Sequence, residues 1–377
     1  MVLYRALSSC YAMKILCVID SLGSGGAQRQ MVNLVCGLKA RGHDVELFIY
    51  HPRFDFYRPI INEAGITVNE VHGVSGFSFR VVRAIAELLR KRKFDALISF
   101  LPSPNMYSIL ASSYCFSKVN LVVSERNSKV GASLLKLILL RALYFKARSV
   151  VVNSYHQTLT LNRYLWLKRK ICVIYNGYIF DNEIVNILGR SRERLSLIVV
   201  GRNTLQKNGV CLLNALLLFK QRNGYMPNVS WAGRQEKDHQ SLSIREKMDQ
   251  LIASNSSLEA SWQWLGERSD IPQLLANADA LIHVSLYEGL PNAVCEAFIA
   301  AKPVIASSVC DHPLLVEEGV RGHLCDPLSP ESICEAIERF VALTPHERQA
   351  MGRNARRYAE EQLTLERMVN EYEALLN

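Results

Sequence analysis

Short apolar runs alternate with helical patterns along almost the whole chain. Residues 14–20 (KILCVID) form an apolar stretch that ends in the turn Gly23-Ser24-Gly25-Gly26. Met31, Leu34, Val35 and Leu38 then recur at helical spacing until Gly42, and residues 45–50 read as the next strand. Strand, glycine loop, helix and strand in that order open a βαβ unit. Further strand-like runs fall at 96–100, 120–124, 149–153 and 171–175, with helical patterns between them. That alternation predicts an α/β domain with a mostly parallel sheet.

A connector over 178–194 separates this series from a second one, which opens at 195–201 (LSLIVVG) and continues at 229–232, 261–265, 280–284 and 303–306. The strands of this half lead into loops carrying Arg202, Arg234, Gly266, Glu288 and Ser307. Open α/β sheets bind ligands at the carboxyl ends of their strands, so these loops are where a site is expected. The segment 345–377 reads as helical and charged. With 377 residues, the chain fits two domains of ordinary size.

An apolar share of 49% is enough for two cores and excludes a disordered chain. Ten cysteines are scattered with no C-x-x-C pair and no accompanying histidine cluster. Neither a zinc site nor a disulfide framework is expected, and a reducing cytoplasm suits them better. The first twelve residues lack a signal-peptide pattern, and the first strand begins beside Met13, an alternative start to Met1. No run reaches the roughly 18 apolar residues of a membrane span; the nearest, 134–145, is broken by Lys136 and Arg141. Charge is uneven: residues 1–182 hold 24 Lys and Arg against 10 Asp and Glu, the remainder 20 against 25. So basic a first half points to an anionic partner, either a membrane surface or nucleic acid.

Three motifs carry chemistry. In Glu288-Gly-Leu-Pro-Asn-Ala-Val-Cys-Glu296, a loop residue and a residue in the early turns of a helix frame a turn shaped by Gly289 and Pro291. A helix N-terminus suits a phosphate or sugar oxygen, and a carboxylate can hold vicinal hydroxyls. Taken alone, the pair reads equally well as two glutamates on a solvated helix. Arg202 and Lys207 follow the first strand of the second half, and an Arg fork with a Lys point charge would neutralise a diphosphate; by themselves they are also ordinary surface cations. The loop 23–26 would let backbone amides approach a phosphate, although it lacks both the full G-x-G-x-x-G and a Walker lysine.

In this order the motifs resemble the retaining glycosyltransferase family 4, with its GT-B fold. The resemblance runs from Met13 onward: Gly25-Gly26-Ala27, Ser154, Asn176-Gly177, Gly201-Arg202 with Lys207, 265–272 (LGERSDIP), 277–279 (NAD) and EGLPN…E from Glu288 to Glu296. It implies two Rossmann-like domains whose parallel sheets face an interdomain cleft, over 13–180 (acceptor side) and 181–355 (nucleotide-sugar side), with a helix at 356–377 crossing back. It also implies roles. Arg202 and Lys207 would clamp the donor diphosphate and, with Glu288, form the catalytic set. Glu296 would take the ribose. Glu288, with the amides of Gly289, Leu290, Pro291 and Asn292 where they exist, would take the sugar. Leu265 and Gly266 would line the base, and Gly25 and Gly26 would lie over the phosphates. Two positions depart from the pattern. Glu125 or Arg126 stands where many members carry a histidine, and Glu125, Arg126 and Asn127 are assigned to the acceptor side. Asp311-His312 replaces a common Gly-Gly.

No protein nucleophile is evident, so catalysis is expected to rest on electrostatic stabilisation of the leaving diphosphate and on positioning. The family implies no metal or other cofactor. The expected donor is a nucleotide-sugar, UDP-linked by preference. The expected acceptor is a polyprenyl-linked or other oligosaccharide in surface-polysaccharide or lipopolysaccharide assembly. The basic stretches 80–93 and 131–148 would rest on the inner face of a membrane; 131–148 reads also as an ordinary buried helix. The alternatives are a sugar-nucleotide epimerase on the same fold, which needs no acceptor, and a nucleic-acid-binding protein, for which no recognition motif is present.

Overall fold

The computed structural model describes residues 12–126, 134–180 and 194–376. Two compact units emerge: Phe180–Gln362 forms one, and the chain up to Ile179 joins the segment from Leu363 in the other.

The first unit is a seven-stranded sheet: β1 (Lys14–Val18), β2 (Asp44–Ile49), β3 (Thr67–Glu70), β4 (Ala96–Phe100), β5 (Asn120–Glu125), β6 (Ser149–Val152) and β7 (Ile171–Val173). Every pairing is parallel, in the order β3-β2-β1-β4-β5-β6-β7. Ile15, Leu16, Cys17 and Val18 are all fully buried, because helices cover both faces of the sheet. One face packs on the helix Gly26–Ala40, which turns Met31, Leu34, Val35 and Leu38 inward. The other packs on Val81, Val82, Ile85 and Leu89 of the helix Phe79–Arg92.

The second unit repeats the plan with β8 (Ser196–Val200), β9 (Asn228–Ala232), β10 (Trp262–Gly266), β11 (Ala280–His283), β12 (Val304–Ser307) and β13 (Gly322–Cys325). Its order is β10-β9-β8-β11-β12-β13, again parallel throughout. β3 and β13, both at sheet edges, are strands that the apolar pattern does not announce.

The end of the chain divides between the units. The helix Pro345–Gln362 stays with the second, where Gly352 packs so closely on the Ala301 carbonyl that a Cβ would come within 2.2 Å of it. The return therefore begins at Leu363, later than the expected 356. The helix Leu365–Leu376 docks on the first unit, burying Leu365, Met368, Val369, Tyr372 and Leu376 against the helix Gly26–Ala40 and the sheet. Gly37 lacks the side chain that would strike Val369. Glu373 accepts from Arg41 at 2.6 Å and lies 2.9 Å from Nε2 of buried His43. Asn120 caps the helix end by donating to the carbonyls of Leu375 and Leu376.

Tyr372→Ala empties a fully buried aromatic site and is expected to cost about 3–5 kcal/mol. Urea unfolding followed by far-UV circular dichroism checks this.

Candidate active site

In the second sheet, successive connections run to opposite sides of β8 and β11, so the loops after these two neighbouring strands open at the switch point of the topology. β8 runs into Gly201, at φ 150°, where a Cβ would sit 2.7 Å from Cε of Lys207. Glycine thus leaves room for the lysine stem. Gly233 follows β9, and a Cβ there would lie 1.8 Å from the Gly201 carbonyl oxygen. Gly233 donates its N–H to the Gly266 carbonyl at 2.7 Å. Three adjacent strands therefore lead into glycines at their carboxyl ends: Lys207 fills the space beside Gly201, the Gly201 carbonyl fills that beside Gly233, and the space beside Gly266 is open.

The loops after β8 and β11 are laced together. Leu205–Lys207 is a single 3-10 turn, and Asn208 follows in the left-handed region at φ 61°, which asparagine tolerates. The Asn208 amide donates to the carbonyls of Val284 (3.2 Å) and Pro327 (2.7 Å). Leu286 N–H donates to the Gln206 carbonyl, and Gln206 Nε2 donates to the Tyr287 carbonyl at 2.8 Å. This lacing sets Lys207 Nζ 2.7 Å from Glu288 Oε1, with both side chains largely buried. His283, the last residue of β11, approaches the same oxygen with Nε2 at 3.2 Å, and the Glu288 N–H donates to Cys310 Sγ at 3.4 Å. Burial opposes the Glu288 charge, but the Lys207 ammonium and the His283 ring outweigh it and hold the carboxyl well below its ordinary range.

A buried polar layer supports the pair. Ser285 Oγ lies 3.3 Å from His283 Nε2, and Ser307 Oγ donates to the Ser285 carbonyl at 2.6 Å. His312 Nδ1 donates to the Ser307 carbonyl at 2.7 Å, and its ring meets that of His283 edge-on with centroids 5.3 Å apart. His312 is thus packed within the unit. Burial, and then the neighbouring His283, push its pKa down to about 3. Burial and the Lys207 charge likewise lower that of His283.

Gly289 and Leu290 lead to Pro291, the cap residue of the helix Asn292–Ile299, whose first turn carries no acidic side chain. Glu296 is half-buried on this helix. Leu265 and Gly266 end β10. Arg202 is mostly exposed and pairs with Glu236 at 3.0 Å, beside Arg234 on the same carboxylate oxygen. The structure brings Lys207 to Glu288 and holds Arg202 on a separate ion pair.

In the first unit, Gly25 precedes and Gly26 opens the helix Gly26–Ala40. Glu125, at the end of β5, is buried against Arg141 at 3.4 Å. Arg126 is buried as well: it donates to Ser124 Oγ, Asn176 Oδ1 and Tyr372 OH, with its guanidinium 3.9 Å from the centre of the Phe100 ring. It ties β5, the Asn176-Gly177 segment and the terminal helix together. Asn127, Gly131 and the side chain of Lys136 lie outside the described residues. The sequence reading missed His283, Gln206, Asn208, Gly233 and Cys310. The one signal for His283 is a histidine closing an otherwise apolar strand just before the Glu288 loop. Among the described residues, no group of three or more His, Cys, Asp or Glu is placed to hold a metal ion.

Two family models cover most of the chain: "Glycosyl transferases group 1" matches residues 180–358 and "Glycosyltransferase Family 4" matches 24–181. An α-1,4-N-acetyl-D-galactosaminyltransferase of Campylobacter jejuni, named for a diphosphoundecaprenol-linked GalNAc acceptor, is 27% identical over 313 residues, 78% of this chain and 79% of its own. The lipopolysaccharide glucosyltransferase WaaG of Escherichia coli is 20% identical over 92% of this chain and 94% of its own. The structure of Anabaena HepE in complex with UDP superposes with a TM-score of 0.80 at 19% identity, covering 97% of this chain and 99% of that one. That likeness gives the second unit and the first the GT-B fold.

The two buried histidines make the fold acid-sensitive. Each has its pKa lowered in the folded state and regains an ordinary value near 6.5 when unfolded, so the stability is present above that value and is lost as pH falls below it. With His312 near 3 in the folded state, it alone is expected to remove about 2 kcal/mol between pH 7 and pH 5. Urea midpoints at the two pH values check this, and His312→Gln narrows the difference.

Proposed function

The chain belongs to the group 1, family 4 glycosyltransferases, and from that premise we propose that it moves a sugar, with retention, from a UDP-linked donor to a lipid-linked or oligosaccharide acceptor in surface-glycan assembly. The observation that carries the donor half is the Lys207–Glu288 pair at the switch point of the second sheet.

In this reading Lys207 and Arg202 receive the diphosphate. Arg202 is exposed and held by a single surface pair, worth about 0.2–1 kcal/mol, so an incoming diphosphate displaces Glu236 at little cost. The start of the helix Asn292–Ile299 adds backbone donors and a positive dipole end. Glu296 takes the ribose hydroxyls, and Glu288 takes the sugar. The open space at Gly266, beside Leu265, takes the flat base. The UDP named with the Anabaena structure supports the choice of nucleotide. The diphosphoundecaprenol acceptors named for the Campylobacter relative and for an Escherichia coli galactosyltransferase support a lipid-linked acceptor.

The chemistry is leaving-group stabilisation. As the anomeric carbon–oxygen bond breaks, negative charge grows on the β-phosphate, and fixed cations favour that state over the intact donor. The acceptor oxygen bonds to the same face of the sugar, and its proton passes to the departing diphosphate. Positive side chains do this work in place of a divalent cation, so turnover is expected to survive a chelator. Sugar transfer to an acceptor separates this reading from an epimerase.

The acceptor side has a matching surface. The helix Phe79–Arg92 buries its apolar face and exposes Arg80, Arg83, Arg90, Lys91 and Arg92. Phe77, Phe79, Tyr114 and Phe116 are exposed around it, with Arg90 over the Tyr114 ring and Phe79 edge-on to it. Cations beside exposed aromatics suit the interface of an anionic membrane. Among the described residues no helix is long and apolar enough to cross a membrane. Arg141 contributes less than the sequence suggests, being turned inward to Glu125.

Two outcomes are expected. A UDP-sugar raises the melting temperature, Glu296→Ala abolishes the shift, and Lys207→Ala lowers turnover by roughly 100-fold or more; near-normal turnover in folded Lys207→Ala contradicts the clamp. The protein floats with vesicles containing phosphatidylglycerol at low salt, and the double reversal Arg80→Glu with Arg83→Glu weakens binding at least about tenfold.

A further inference from the structure

β11 carries Ala280, Leu281 and Ile282, all fully buried, and then His283, which is 2% exposed. An imidazole in that position is expensive. Its Nδ1 has no hydrogen-bond partner among the described residues, and an aliphatic side chain would fill the space without leaving a polar atom unanswered. The compensating contacts are at the other nitrogen, 3.2 Å from Glu288 Oε1 and 3.3 Å from Ser285 Oγ.

The geometry around that carboxylate is asymmetric. Lys207 Nζ and His283 Nε2 both address Oε1, at 2.7 and 3.2 Å. No described residue donates to Oε2. Lysine supplies charge from a flexible stem, so it controls orientation weakly. A ring fixed at the end of a strand controls it well, and this ring is held in place edge-on by His312, itself anchored through Nδ1 to the Ser307 carbonyl. Two donors on one oxygen set the rotation of the carboxylate plane.

We propose that His283 is a positioning residue for the donor sugar: its Nε2–H pins Glu288 through Oε1, so that Oε2 is presented to a sugar hydroxyl. This rests on the reading of Glu288 as the group that meets the donor sugar. His283 itself touches no substrate and acts through Glu288. The sugar part of donor affinity is therefore separable from the nucleotide part, and His283 belongs to the first.

The test is isothermal titration of the full chain with UDP and with UDP-glucose, UDP-galactose, UDP-GlcNAc and UDP-GalNAc, taking the donor that gains most over UDP. His283→Leu is expected to weaken that UDP-sugar roughly tenfold, the scale of one hydrogen bond to a charged group, with UDP affinity unchanged. His283→Gln, which can offer an N–H to the same oxygen, restores most of the gain. Should His283→Leu fail to fold, His283→Asn, whose shorter amide stops short of Glu288, replaces it. An unchanged sugar gain in the Leu or Asn variant overturns the proposal, and so does an equal loss for UDP and UDP-sugar, which marks a merely structural role. Glu288→Gln separates the two levels of the argument. If it keeps the full gain, or if no UDP-sugar exceeds UDP in the unmodified protein, the donor-site reading fails and takes the proposal with it.

Discussion

A carboxylate buried as deeply as Glu288 keeps its charge only where a cation and hydrogen-bond donors reach it. In this protein those partners come from different parts of the chain: Lys207 from the loop after β8, His283 from the end of β11. They meet because β8 and β11 are neighbours at the switch point of the sheet, although 79 residues of sequence separate Val200 from Ala280. Once the pair is made, much of the local structure follows. Gly201 clears the lysine stem, Asn208 takes a left-handed backbone to staple β8 to the Val284 and Pro327 carbonyls, and Gln206 clasps the Tyr287 loop from both sides. Removing either charge leaves the other stranded, a loss of about 3–5 kcal/mol for a buried pair. The pair assigned to the donor in this account is thus also a structural pair.

The first unit applies the same fold to a different end. Its strand-end polar groups are largely committed to one another: Glu125 to Arg141, and Arg126 to Ser124, Asn176 and Tyr372. What it offers outward is the cationic and aromatic surface of the Phe79–Arg92 helix and its neighbours. The charge imbalance between the halves has a physical location in this surface. The terminal helix Leu365–Leu376 completes the core of this unit, so a segment at the far end of the sequence belongs to the first domain's stability.

Much of this was legible in the sequence, for identifiable reasons. Strands such as 14–18 and 96–100 are buried on both faces and so appear as uninterrupted apolar runs; β3 (TVNE) and β13 (GHLC) lie at sheet edges, are short and partly polar, and gave no such signal. Gly201, Lys207, Glu288 and Glu296 stood out because glycines and charges at strand ends are conspicuous. What escaped were residues whose role depends on three-dimensional proximity. His283 reads as one more strand residue until Glu288 is seen beside it. Arg126 reads as an acceptor-side residue at a strand end until Asn176 and Tyr372, 50 and 246 residues away, are found around it. Gly233 has no visible purpose until the Gly201 carbonyl is found against it. Chain position likewise misplaced the return to the first unit, because both terminal helices are amphipathic and only packing separates them.

The central claim is that the donor nucleotide is held by the second unit around the Lys207–Glu288 loops. Hydrogen–deuterium exchange with and without UDP tests it most directly, since it reports where a ligand slows backbone opening without presupposing an acceptor. The account predicts new protection in peptides spanning residues 201–209 and 284–299. Binding of UDP that protects other segments and leaves those two unchanged would contradict it.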